Sequence, residues 1–351
     1  MARSTRRSDT SSRSEPAPGR VLEAVDGYQR RHSWLGFPLA VIYKFGDDQG
    51  PYLTALITYY GFLSLCPLML LLVTILGFVL EGDPELQERL VDSTLSELPI
   101  LRGQLRNSVE SLEGSGLGLA VGLLGTLYGT LGAAGAIQNA FNRAWAVPRN
   151  RRPNPFALRL RSLLLLVVLG AGVIVSTSLT GLTTSAGAFG ETFSTWVAVA
   201  AVPLSTVVNI ALFMVAFRVL TAPSVSTREL RIGAVIAGVG WQIVQVLGTY
   251  FVANVLKGAP EAYGVFGLVL GLIAWIYLLA FVVVFAAEAN VVRQRRLWPR
   301  ALLTPFTDSV NLTPADRRAY TGYAESERHK GFESVDVGFE RDEAEDAEEK
   351  R

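Results

Sequence analysis

Residues 263–290 read YGVFGLVLGLIAWIYLLAFVVVFAAEAN. No Asp, Glu, Lys or Arg occurs from residue 262 to residue 287. That run exceeds the roughly 20 apolar residues a helix needs to cross ~30 Å of hydrocarbon, so it reads as a transmembrane helix. Working outward, five more uncharged runs occupy 49–80, 114–142, 162–190, 192–217 and 232–256. Half of the 351 residues are hydrophobic and 18% are charged, below the about 25% charge of soluble domains. Mean hydropathy is +0.33. The pattern predicts an all-α, polytopic membrane protein: a six-transmembrane-helix bundle. Its membrane domain covers 49–299, with spans near 53–80, 117–142, 162–183, 194–217, 232–256 and 263–287. Pro67 removes a backbone donor near the middle of the first span and predicts a kink there.

The flanks differ in character. Residues 1–19 are rich in Ser, Arg and Pro and lack the apolar core of a signal peptide, which predicts a disordered tail. Over 20–48, Trp34, Phe37, Val41, Ile42 and Phe45 recur at helical spacing opposite Arg30, Arg31 and Lys44. That spacing fits an N-terminal amphipathic helix lying in the interface, or one folded against the bundle. The 300–351 tail, polar and then acidic, is expected to be disordered. Orientation follows from the arginines. Residues 145–161 hold five arginines and no acid, whereas 81–116 hold eight acidic and three basic residues. Both termini are therefore expected in the cytoplasm. Leu86, Leu90, Leu98, Leu101, Leu105, Val109 and Leu112 give the 81–116 loop an amphipathic helical spacing.

Candidate chemistry is sparse. Cys66 is the only cysteine, and His32 and His329, the two histidines, lie outside the spans. There is no phosphate-binding GxxxxGK[ST] loop, no HExxH and no GxSxG elbow. The reading is no enzyme, no metal and no cofactor. Gly118, Gly122, Gly125, Gly129 and Gly132 recur at three- and four-residue intervals in the second span, as do Gly264, Gly267 and Gly271 in the sixth. Small residues at that spacing let helix backbones approach closely in lipid.

Polar side chains gather at the cytoplasmic ends of spans: Tyr59 and Tyr60, then Asn139, Asn142 and Arg143, then Glu288 and Asn290. Arg143 and Glu288 are opposite charges at similar depth, either a structural clasp or a functional pair. Deeper lie Asn209, Gln242, Gln245 and Thr249. Amides facing acyl chains would be left unsatisfied, so these bond between helices or line a polar path.

Four stretches resemble the YihY/BrkB family of bacterial inner-membrane proteins. They are ALITYYGFLSLCPLMLLLVTILG (55–77), GAIQNAFNRAW (135–145), GWQIVQVLGTYFVAN (240–254) and the 263–290 stretch, together spanning most of the membrane domain. Where the family pattern ends in GAELN, Ala286 and Ala289 stand for the glycine and the leucine. The resemblance implies six helices with cytoplasmic termini. It also brings a link to serum resistance and to envelope lipid export, and an older ribonuclease label. That label is at odds with a chain lacking nuclease metal ligands and a basic soluble surface, so no nucleic-acid partner is expected. The expected function is transport or handling of a lipid or other amphiphile, with membrane lipids as partners. The alternative is a scaffold for an envelope-assembly protein. Homo-oligomerisation is left open.

Overall fold

The computed structural model describes residues 20–79, 116–152, 154, 156–165, 167, 170, 172, 191–221, 225–254, 264–307 and 310–339. Among these residues all regular structure is helical. The helices are α1 (Arg20–Arg31), α2 (Ser33–Asp47), α3 (Gly50–Val79), α4 (Gly116–Ala144), α5 (Glu191–Leu220), α6 (Arg231–Asn254), α7 (Gly264–Gln294) and α8 (Pro314–Ser326). A further helical stretch covers 156–165. Among the described residues four segments are long and apolar enough to cross a membrane: Ala120–Ala144, Pro203–Leu220, Thr227–Gly248 and Val269–Gln294. The chain is a helical membrane protein.

Several expectations fall outside the described residues. These are the 1–19 tail, the loop from 81 to 115 with its leucines, the third span beyond residue 172, and the acidic stretch from 340. The surroundings of Cys66, Gly118, Thr249 and Gly264 lie outside them too.

Helix α7 is the hub, touching α2, α3, α4 and α6. The closest pair is α3 with α4, and the glycines explain why. A Cβ on Gly129 would lie 2.6 Å from Ser64 Cα, and one on Gly125 would lie 2.7 Å from the Pro67 ring. A Cβ on Gly132 would run into the Tyr60 ring. Gly122 is buried, whereas Gly267 and Gly271 are half-buried. Pro67 stays inside the helix. On α6, Gly238 fits against Ile210 of α5, whose backbone nitrogen and Cα would be 3.0 Å from an added Cβ.

Burial is uneven along the bundle, as expected where lipid replaces water. The principal core joins Val41, Phe141, Trp145, Phe217, Leu230, Val291, Leu297 and Ala319, from the arginine-bearing ends of α4 to α7 together with α2 and α8. A smaller cluster of Val244, Leu272 and Trp275 is buried further along the bundle, while other apolar side chains face outward. On α6, Val235, Val239, Ile243 and Val246 are all exposed at i, i+4, i+8 and i+11, a single lipid-type face.

Two expectations change. The tail expected to be disordered from residue 300 contains α8. Thr313 caps that helix by accepting from the Asp316 amide at 3.1 Å, while Asp316 accepts from the Thr313 amide at 3.0 Å. Pro314 takes the first helical position. The 20–48 region is two helices rather than one, broken where His32 adopts an extended backbone. Helix α2 buries Gly36, Ala40, Val41, Lys44 and Phe45, its partner being α7. Trp34 and Ile42 remain exposed on its other side.

Candidate functional site

The sharp turn between α2 and α3 creates the site. Gln49 takes a left-handed backbone at φ 59°, and Gly50 follows where any Cβ would strike the Phe45 ring. The last turn of α2 is thereby folded under α7. Lys44 pairs with Asp48 one turn on and with Glu288 of α7, 3.5 Å away. Lys44, Asp48 and Glu288 are 2%, 2% and 0% exposed. One ammonium thus serves two carboxylates in a nearly dry setting, where removing a charge from water is expensive and must be offset by its partners.

A second buried network joins this lock to the C-terminal segment. The Arg300 guanidinium donates to Asp316 at 2.8 Å and to Asp47 at 2.6 Å. It also lies over the Tyr43 and Tyr320 rings, 5.8 and 5.6 Å from their centroids. Tyr323 of α8 donates its hydroxyl to Asp47 at 3.0 Å, and its ring sits 5.0 Å from Lys44 Nζ. Tyr43 donates to the Leu302 carbonyl at 2.6 Å, and Gln29 donates to the Arg300 carbonyl at 2.6 Å. Burial alone would lower the Arg300 pKa, but the Asp316 hydrogen bond and the Asp47 charge outweigh it and raise it above the ordinary value. The Tyr323 phenol is pushed well up by burial, with the Asp47 and Asp48 charges adding to the shift. Lys44, Asp47, Asp48, Arg300 and Asp316 were not singled out as site residues by the sequence reading. One signal was readable: TPAD at 313–316 is a capping box with proline at the first helical position.

The polar residues expected at one mouth divide into separate groups. Glu288 pairs with Lys44, and no Arg143–Glu288 ion pair forms among the described residues. Asn290 is buried and accepts from the Gly233 amide at 2.6 Å, tying α7 to the start of α6. Asn142 is buried on α4. Asn139 is exposed and meets Arg152 Nη1 at 3.5 Å. Tyr60 is half-buried against Gly132, and its neighbour Tyr59 is 60% exposed. Gln138, also buried, donates to Ser162 Oγ at 3.2 Å and so fastens the 156–165 helix to α4.

The deeper amides lie on α5 and α6. Helices α5 and α6 run antiparallel, so the Gly238–Ile210 contact places Gln242 level with Thr206 and Gln245 about one turn further out. Asn209, Gln242 and Gln245 are all half-buried. Gln242 lies about 16 Å along α6 at ~1.5 Å per residue, near the middle of that helix. Among the described residues no group of three His, Cys, Asp or Glu side chains could hold a metal ion.

The family model for Virulence factor BrkB matches residues 41–306. The chain belongs to the BrkB family. The match begins within α2 and ends beyond Arg300, so it takes in Lys44, Asp47, Asp48, Glu288 and Arg300, while α8 lies past it. Inner membrane protein YhjD of Escherichia coli K12 is 27% identical over 262 residues, 70% of this chain and 77% of its own length. A UPF0761 membrane protein of Psychrobacter is 25% identical, over 80% of this chain and 53% of its own length. YfkH of Bacillus subtilis, named as ribonuclease-like, is 24% identical over 75% of this chain and 96% of its own. No solved structure matches the chain. With its apolar helices, BrkB membership and the YhjD match place this protein in the inner membrane.

Proposed function

We propose that this BrkB-family protein crosses the inner membrane six times with both termini in the cytoplasm, and moves or handles an amphiphile along the α5–α6 seam. Supporting the reading are half-buried Asn209, Gln242 and Gln245 on the two helices that meet at the Gly238–Ile210 contact. Amides there suit a polar headgroup passing between helices and offer no charge for coupling to ions. Thr249 extends the same face of α6 by sequence spacing. In this reading the Lys44–Asp48–Glu288 lock holds the cytoplasmic end shut, while α3 and α4 form its rigid wall. No catalytic step belongs to the reading, and the ribonuclease-like name stays with YfkH.

The test is reconstitution into liposomes with a fluorescent-lipid translocation readout. Gln242→Leu with Gln245→Leu is expected to insert normally and to abolish translocation. Normal movement in that double variant would remove the seam from the account. A second reading, a scaffold for an envelope-assembly protein, is favoured by the ordered α8 cap at the end of the bundle. Cross-linking from α8 that captures a specific envelope protein, with no translocation by the wild type, would favour it instead.

A further inference from the structure

The 145–161 connector holds five arginines and no acid, and they are unequally matched. Arg149 is paired with Glu327 at 2.7 Å, and Arg161 donates to the Thr221 carbonyl at 3.3 Å. Arg143 and Arg159 make no hydrogen bond or ion pair among the described residues. Arg152 reaches the Val147 carbonyl at 3.2 Å and Asn139 at 3.5 Å, both uncharged. Burial and then the Arg149 charge lower its pKa; Glu327 opposes them, and Arg143 lowers it further. Cations crowd here with little anionic relief.

The helix that follows supplies the other half of the pattern. Phe156, Leu160, Leu163, Leu164 and Val167 are exposed at i, i+4, i+7, i+8 and i+11, and exposed Arg159 shares their face. Ser162 and Leu165 are buried on the opposite side, where Gln138 holds the helix to α4. The result is an apolar ridge headed by guanidinium groups, with Asn139 and Arg143 on the adjoining end of α4.

We propose that Arg143, Arg152 and Arg159 bind the phosphate headgroup of an anionic phospholipid whose acyl chains lie along the 156–167 ridge. Guanidinium groups recognise phosphate oxygens in pairs, and phosphate supplies the missing counter-charge. The ridge selects a bilayer lipid over a soluble phosphate, because it covers acyl chain and offers nothing to a free anion. This inference stands apart from the seam: it needs neither translocation nor the Gln242 face.

The test uses the full chain in detergent, measuring phosphatidylglycerol, phosphatidylcholine and inorganic phosphate binding by native mass spectrometry. Arg143→Gln with Arg159→Gln is the probe variant, since neither side chain supports the fold, and circular dichroism checks its helicity. Arg228→Gln with Arg231→Gln removes the same charge from another connector. Phosphatidylglycerol is expected to bind about fivefold more weakly per guanidinium lost, roughly 25-fold in the probe variant, and unchanged in the other. Equal loss in both variants would mean diffuse surface charge and overturn the site. So would phosphatidylcholine binding as tightly as phosphatidylglycerol, or inorganic phosphate alone matching it.

Discussion

Replacing Lys44 by methionine should destabilise the protein far more than neutralising Glu288. The asymmetry follows from one ammonium facing two buried carboxylates. Lys44→Met keeps the side-chain volume but leaves Asp48 and Glu288 nearly or fully buried with no cation between them. Breaking a buried pair from one side costs about 3–5 kcal/mol. Glu288→Gln leaves the Lys44–Asp48 pair intact and forfeits only a 3.5 Å contact, a loss of about 1–2 kcal/mol. The double variant Lys44→Met, Glu288→Gln strands a single carboxylate, so it should recover part of what Lys44→Met loses. Unfolding in mixed micelles by SDS titration, followed by far-UV circular dichroism at neutral pH, gives all four free energies under one condition. If Lys44→Met stays within about 0.5 kcal/mol of wild type, or if the two single variants cost the same, the lock does not hold α2 to α7 as described.

Four other perturbations separate parts of the fold. Gly129→Ala should push α3 from α4 and destabilise by about 1–3 kcal/mol, because its methyl would meet Ser64 backbone. Gly135→Ala, with nothing within 4 Å, should stabilise by up to about 1 kcal/mol through helix propensity, and the same SDS titration distinguishes them. Asp316→Ala removes the acceptor for Arg300, the Ala301 amide and the Thr313 amide together. Limited proteolysis should then cut between 300 and 326 at a protease level that leaves wild type whole. The fourth concerns pH. The Tyr323 phenol has its folded pKa raised above its ordinary value of 10.0, so its stabilisation is complete below that pH and is lost as pH climbs through the folded value. Wild-type unfolding free energy should therefore fall in alkaline solution. Tyr323→Phe should flatten that fall while costing about 1 kcal/mol at neutral pH for the lost bond to Asp47.

The sequence carried the long helices because uncharged length and small-residue spacing are local properties. Gly125, Gly129 and Gly132 mark the α3 contact, since only backbone proximity explains glycines at every turn. The lock was not legible, for a physical reason. Lys44 reads as one more residue on the polar side of an amphipathic helix, and Asp47 and Asp48 read as connector. Only the reversal at Gln49 and Gly50 folds that polar side under Glu288. Arg300 stands in the sequence at the head of a tail expected to be disordered. In the fold it is 1% exposed and ties two carboxylates. A net charge tally cannot separate a solvated arginine from a buried one. Helix α8 was missed because its polar surface resembles that of a disordered tail, although its capping residues were present.

Cysteine accessibility from either side of the membrane tests the central layout most directly. In a Cys66→Ala background, Asn150→Cys and Ser334→Cys mark the arginine-bearing end and α8 side, and Ser93→Cys marks the long acidic loop. With a membrane-impermeant maleimide on intact spheroplasts, only the residue 93 variant should label, and the other two should react after permeabilisation. Labelling at 150 or 334 before permeabilisation would place that end outside the cell and contradict the account.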